Sequence, residues 1–156
     1  MEIFVTNDDG WGAKGILTIV RIMSELGHVT VVAPDGARSG MSNAITVAQP
    51  IYLRPLNDPN WGAEEWQKRV TVYTTNGTPS DCVKLAIDVV CEGDSSKIDL
   101  LVSGINHGSN AGINVIYSGT MGACFVGAEH GIPAIGFSID DHSPKADFSH
   151  RSEEHT

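Results

Sequence analysis

Two adjacent acids, Asp8 and Asp9, end the first apolar run of the chain in the stretch Val5-Thr6-Asn7-Asp8-Asp9-Gly10. Neighbouring carboxylates repel, so one resists ionisation unless a positive charge compensates. A hard divalent cation such as Mg²⁺ or Mn²⁺ removes the conflict, because it takes oxygen ligands and keeps positions open for a substrate phosphate. Taken alone, an Asn-Asp-Asp-Gly run is also an ordinary solvated turn. A second group, Ser118-Gly119-Thr120, opens a run that reads as a helix. Such an end offers unpaired backbone N–H groups and the positive pole of a dipole, and its glycine lets an anion approach. An ordinary serine or threonine N-cap has the same composition. His107 sits in a loop of glycines and asparagines, where it could act as a general acid or base or simply orient its turn.

These groups need a scaffold that brings them together. Residues 1–5 read as a short buried strand, Gly10 and Gly12 permit a tight turn, and residues 15–26 read as a helix. That helix carries Ile16, Ile19, Val20, Met23 and Leu26 at helical spacing, with Gly27 as its stop. Residues 28–33 form the next expected strand, ended by Pro34, and the short βαβ spacing favours a right-handed crossover between parallel strands. In such sheets ligands sit outside the carboxyl ends of the strands. Asp8, Asp9 and the loop 35–42 (DGARSGMS) leave that edge. Residues 45–53 are expected to be extended, at an edge or in an excursion because of Pro50 and Pro55. Residues 57–68 read as a polar insertion in which Trp61 and Trp66 cap a local cluster rather than stack on a base.

Residues 70–75 read as a strand. Thr78 then stands at an N-cap position with Pro79 after it and Asp81 three residues on, a capping box with Asp in place of Glu. The helix is expected to reach about Cys91 and to bury Val83, Ala86, Ile87 and Val90, which makes Cys82 and Cys91 packing residues. Residues 100–103 read as a buried strand and 104–112 (GINHGSNAG) as an irregular loop. The helix begun at residues 118–120 runs through His130 to a stop at Gly131, and residues 134–139 form a last strand. Three strand-to-loop or strand-to-helix junctions thus share one sheet edge, the design expected of a metal-held phosphate.

Composition narrows the partners. The chain has 156 residues, enough for one domain with a real core, and a formal charge of -9, which opposes binding to DNA, RNA or another polyanion. The odd set Cys82, Cys91 and Cys124 suggests neither a disulfide framework nor a zinc knuckle, and fits a reducing cytoplasm. Neither a signal peptide nor a run of membrane-spanning length is expected. G-x-S-x-G, H-E-x-x-H and GxxxxGK[ST] are missing, so serine hydrolase, zinc protease and P-loop readings lack support. Gly10, Gly12 and Gly15 do have G-x-G-x-x-G spacing, but Asp8 and Asp9 occupy the place where a dinucleotide pyrophosphate would have to lie.

The stretches VTNDDGWGAKG (5–15), VVAPDGARSGMSNAIT (31–46), NGTPSDCVKLA (76–86) and LVSGINHGSNAGINVIYSGTMGA (101–123) together resemble the SurE family of survival-protein nucleotidases, in order and spacing, over nearly the whole chain to about Ile139. The resemblance implies an α/β fold, a Rossmann-like three-layer sandwich with a mostly parallel sheet. It implies one divalent cation, Mg²⁺ or Mn²⁺, and hydrolysis of nucleoside 5'-monophosphates to nucleoside and phosphate. Carried over residue by residue, it makes Asp8, Asp9, Ser39 and Asn106 the metal ligands, and Asp8, Asp9 and Asn106 catalytic. Asn7, Gly40, Ser118, Gly119 and Thr120 become phosphate-binding. The attacking group stays open between an activated water and the Asp8 carboxylate.

Two alternatives remain beside this reading. One is a broader phosphatase acting on 3'-nucleotides or short polyphosphates, and the other a non-catalytic nucleotide-binding module of Rossmann-like type. The paired acids speak against the second, since a pure anion binder gains nothing from two carboxylates beside its phosphate. The expected partner is a small-molecule nucleotide, with no nucleic-acid polymer and no membrane, and the full-length form is expected to be a homodimer or homotetramer in the cytoplasm.

Asn43 and Ser80 depart from the family, standing where many relatives have His and Ala. Family members also continue well beyond this length. Residues 1–150 are therefore expected to be a single SurE-like domain whose C-terminal part is missing, and 151–156 (RSEEHT) a non-native tail. Such a chain is expected to be poorly soluble or weakly active, because its last strand keeps an uncovered apolar edge.

Overall fold

The fold, a computed structural model, describes residues 1–58, 61, 64–141, 143 and 146–148. The first apolar run forms β1 (Glu2–Thr6), flanked in parallel by β2 (His28–Pro34) and β5 (Leu100–His107). β4 (Val70–Thr75) pairs in parallel with β2, and β6 (Ala134–Ile139) with β5. A two-residue strand, β3 (Arg54–Pro55), joins β4 antiparallel, giving one sheet in the order β3-β4-β2-β1-β5-β6. The chain therefore builds outward from β1 on one side, then crosses back and builds outward on the other. Ligands of open α/β sheets bind at such a reversal, outside the carboxyl ends of the strands. Asp8 and Asp9 follow β1 at this place.

Successive side chains of a strand point to opposite faces, and a parallel sheet covered on both sides wants apolar residues on each. Ile3 and Val5 of β1 meet Ile16, Ile19, Val20 and Met23 of α1 (Lys14–Ser24). Phe4, on the opposite face, belongs to a second cluster. There it joins Cys82 and Val83 of α2 (Pro79–Leu85) and Ala123, Cys124 and Val126 of α3 (Gly119–Glu129). The result is the expected three-layer α/β fold. No described helix is long and apolar enough to cross a membrane.

Residues 45–53 form the excursion that Pro50 and Pro55 indicate, and only Arg54–Pro55 pairs with the sheet edge. Side chains hold that excursion instead of a ladder: Thr46 donates both its N–H and its hydroxyl to Asp81, and the Tyr52 N–H donates to Asn76 Oδ1. The α2 helix gives way at Ala86–Val90 to a π turn that ends at Cys91. The expected loop at 104–107 is strand, for β5 runs on to His107 with a register irregularity between Ser103 and Asn106. Gly104 sits there at φ +126°, and a Cβ on it would stand 2.3 Å from the Phe137 carbonyl oxygen. Its glycine marks a bulge against β6 rather than the end of the strand.

Trp61 is buried and Trp66 packs on the same cluster, as the insertion suggested. Residues 59, 60, 62 and 63 of that insertion and the tail 151–156 lie outside the described residues. β6 is an edge of the sheet, with Ile135 exposed on it and Phe125 exposed on α3.

Candidate functional site

The turn after β1 is shaped by Asn7. Its amide nitrogen donates to the Gly10 carbonyl at 2.9 Å, and its amide oxygen accepts the Gly10 N–H at 3.2 Å. Asn7 is wholly buried in these bonds, so its side chain holds the turn instead of facing a ligand. Gly10 adopts φ +96°, and a Cβ there would meet the Gly36 backbone at 3.2 Å, so glycine is needed on both counts. The turn thus lets the loop after β2 pass directly over it.

Asp8 leaves this turn only 4% exposed, and Thr120 donates its hydroxyl to Asp8 Oδ1 at 2.9 Å. Burial pushes the Asp8 carboxyl from 3.8 up to about 6; the Thr120 bond opposes the shift and the Asp9 charge adds to it. Gly119 lies against the same residue, since a Cβ on it would stand 3.0 Å from Asp8 Cβ. Ser118 caps α3 by accepting the Met121 N–H at 3.1 Å. The N-cap reading of that serine is therefore what its hydroxyl does, and Thr120 is spent on Asp8. What the helix start leaves for an anion is backbone N–H.

Asp9 is partly exposed and accepts the His107 backbone N–H at 3.3 Å. The end of β5 thus touches the end of β1. Asn106 donates its amide nitrogen to the Gly108 carbonyl at 2.7 Å and to Asn110 Oδ1 at 3.3 Å, which leaves its amide oxygen as the atom to offer a cation. The His107 ring turns to Ser143, with Nε2 2.7 Å from that carbonyl, and its edge meets Phe148. A cavity of about 140 Å³ opens beside Asp9 there, lined also by Lys14.

Ser39 and Gly40 are exposed on the loop after β2, and both ends of that loop are tied to the site. The Arg38 N–H donates to the Asp8 carbonyl at 2.6 Å. Farther on, Ser42 donates its N–H to the Tyr117 carbonyl at 3.1 Å and its hydroxyl to the Ile116 carbonyl at 2.7 Å. A Cβ on Gly122 would stand 2.1 Å from the Ser42 carbonyl oxygen, so α3 and the loop meet backbone to backbone. Arg38, Ser42 and Gly122 were not singled out from the sequence. A glycine in the first turns of a helix was the available signal, because it costs helix stability unless something approaches closely.

A family model described as Survival protein SurE matches residues 3–155. The chain belongs to the SurE family. A relative named 5'-nucleotidase SurE from Porphyromonas gingivalis is 49% identical over 150 residues, which cover 96% of this chain and 55% of the relative. One of the same name from Christiangramia forsetii is 51% identical over 146 residues, covering 94% and 53%. The crystal structure of the SurE protein from Aquifex aeolicus superposes with a TM-score of 0.77 at 33% identity, over 92% of this chain and 53% of that one. The chain spans about half the length of these SurE relatives.

The oxygens of Asp8, Asp9, Ser39 and Asn106 are of a kind that suits a hard divalent cation. A nearly buried carboxylate beside a second one is strained without a compensating charge, and here the strain shows in the raised Asp8 carboxyl. The remaining donors, the Ser39 hydroxyl and the Asn106 amide oxygen, are neutral oxygens of the kind Mg²⁺ and Mn²⁺ accept. Among the described residues no three His, Cys, Asp or Glu side chains gather.

Proposed function

We propose that this chain carries the catalytic centre of a metal-dependent phosphomonoesterase that hydrolyses nucleoside 5'-monophosphates to nucleoside and phosphate. The observation that carries the reading is the Asp8–Thr120 bond, which sets a buried carboxylate of an acidic pair at the start of α3, where an anion would bind. The names of the relatives, 5'-nucleotidase SurE, support the activity and the substrate class. Asp8, Asp9, Ser39 and Asn106 would hold the cation. When bound, it neutralises the acidic pair and polarises a phosphoryl oxygen.

The chain's own residues supply the rest. The N–H groups that open α3 bind phosphate oxygens; Gly119 lets Asp8 pack close against that helix start, and Gly40 leaves open space on the loop. Thr120 fixes the orientation of Asp8 by holding Oδ1, which leaves Oδ2 to the site. Asn7 keeps both acids at the mouth of the sheet by closing the turn beneath them. The substrate is a small nucleotide rather than a polymer, consistent with the acidic chain. Cys82, Cys91 and Cys124 are free thiols, which suits a reducing cytoplasm. We assign residues 1–150 to one SurE-like domain and the full-length protein to a homodimer or homotetramer.

The test is phosphate release from a panel of 5'- and 3'-nucleotides by the full-length protein, after chelation and again with Mg²⁺ or Mn²⁺ restored. Cation-dependent turnover, highest on 5'-monophosphates, is expected. Turnover on 3'-nucleotides or short polyphosphates in preference would move the assignment to a broader phosphatase, and binding without turnover to a nucleotide-binding module.

A further inference from the structure

Four residues in and beside the Ser39 loop close a ring of hydrogen bonds. Tyr52 Oη donates to Asp35 Oδ2 at 2.7 Å, and Arg38 Nη2 donates to Asp35 Oδ1 at 2.6 Å. The same Arg38 nitrogen donates to the Asn76 carbonyl at 3.2 Å, and the Tyr52 N–H returns to Asn76 Oδ1 at 3.0 Å. Three segments remote in sequence meet in this ring: the loop after β2, the excursion before β3, and the turn between β4 and α2. Two contacts reinforce it. Asn76 Nδ2 donates to the Pro50 carbonyl at 3.2 Å, and the Arg54 guanidinium lies 4.4 Å over the Tyr52 ring.

We propose that this ring is a brace for Ser39, which holds the hydroxyl in place to join Asp8 and Asp9 around the cation. Asp35, Arg38 and Tyr52 are then positioning residues. The inference rests on the reading of Asp8 and Asp9 as a cation site. Arg38 is the link: its guanidinium belongs to the ring, its backbone N–H donates to the Asp8 carbonyl, and Ser39 follows it directly. The loop DGARSG has no regular structure and two glycines, so unbraced it would sample many conformations, each at an entropic cost to binding. Fixing Arg38 at three points removes that freedom before any ligand arrives.

The energetics separate this role from a merely structural one. The Asp35–Arg38 pair is about one-third exposed, and ion pairs so exposed add little to folding. Residues that orient a metal ligand matter more to the metal, since their loss typically weakens affinity roughly 10- to 100-fold. The brace should therefore register in cation affinity and not in the melt.

The experiment is calorimetric titration of Mn²⁺ into the chelator-treated full-length protein, with melting temperatures measured on the same samples. We expect Asp35→Asn to weaken Mn²⁺ binding about 10-fold and Tyr52→Phe at least about threefold, both melting within about 2 °C of wild type in chelator. Lys68→Ala breaks another i,i+3 ion pair, with Glu65, and should change neither reading. Should Asp35→Asn melt early, Tyr52→Phe carries the test alone, because it removes one oxygen and no packing. Both variants binding Mn²⁺ within twofold of wild type, while Asp8→Asn abolishes binding, would overturn the brace and leave the cation site standing. Undiminished binding by Asp8→Asn would overturn the cation reading and the brace with it.

Discussion

Thr120 and Asp8 stand 112 residues apart in sequence and 2.9 Å apart in the fold, joined by a buried hydrogen bond. The bond ties the end of β1 to the start of α3, the two walls of the candidate site. Thr120→Val keeps the shape and removes the donor, and we expect turnover to fall at least about 10-fold, with Thr120→Ser restoring most of it. Ser118→Ala removes a helix cap, which costs about 1 kcal/mol of folding and little turnover. Kinetics and thermal melts on the three variants separate the two roles. A loss of turnover in Ser118→Ala larger than in Thr120→Val would give the serine hydroxyl the phosphate contact instead.

The raised Asp8 carboxyl sets a pH dependence. A group that holds its proton more tightly when folded favours folding at low pH, and loses that advantage as pH rises from 3.8 through about 6. The difference is about 3 kcal/mol for the cation-free protein. In chelator, Asp8→Asn should melt above wild type at pH 7 and lose that margin near pH 4. Equal melting of the two proteins at pH 7 would count against a buried, strained carboxylate.

Gly122 and Gly12 make a matched pair of tests. Alanine in a helix normally gains about 1 kcal/mol over glycine. At Gly122, however, the new Cβ would stand 2.1 Å from the Ser42 carbonyl oxygen, which is backbone and cannot simply rotate away. Overpacking of this kind costs about 1–3 kcal/mol, so Gly122→Ala should be destabilising and should displace the Ser39 loop. A Cβ on Gly12 meets nothing within 4 Å, and Gly12→Ala should stay within about 0.5 kcal/mol of wild type. Denaturant melts of both variants check the ordering.

Phe125 on α3 and Ile135 on β6 are 48% and 47% exposed, and among the described residues no strand pairs with the outer side of β6. Such surface invites association. Replacing both by polar residues, Phe125→Ser with Ile135→Thr, should raise the soluble yield of the 156-residue chain. An unchanged partition between pellet and supernatant would place the aggregating surface elsewhere.

Local chemistry was legible in the sequence, and distant contact was not. The Thr78–Asp81 capping box forms as read, with each residue's side chain accepting the other's backbone N–H, because everything it needs lies within four residues. Ile16, Ile19, Val20 and Met23 of α1 and Val83, Ala86 and Ile87 of the α2 region are buried as their spacing indicates, whereas Leu26 lies past the end of α1 and is exposed and Val90 is only half-buried. Gly104, Asn106 and Gly108 gave a loop signal, yet the first two lie in β5, whose course past Ser103 is decided by β6 some thirty residues later. Asp8, Gly119 and Thr120 were picked out correctly as neighbours. The bond between Thr120 and Asp8 is not legible in either segment, since no pattern within one segment says that a threonine hydroxyl will donate to a carboxylate from the other end of the chain. Arg38 escaped notice altogether, because its partners come from three separate segments.

We propose that the Asp8–Asp9 pair holds a divalent cation for phosphomonoester hydrolysis. It is tested most directly by phosphate release from a nucleoside 5'-monophosphate by chelator-treated full-length protein, its Asp8→Asn and Asp9→Asn variants, and each of these with Mn²⁺ restored. We predict no turnover in chelator, recovery of the wild type with Mn²⁺, and loss of about 100-fold or more in both variants, since the cation contributes several kcal/mol to the transition state. Full turnover in chelator, or either variant at the wild-type rate, would contradict the account.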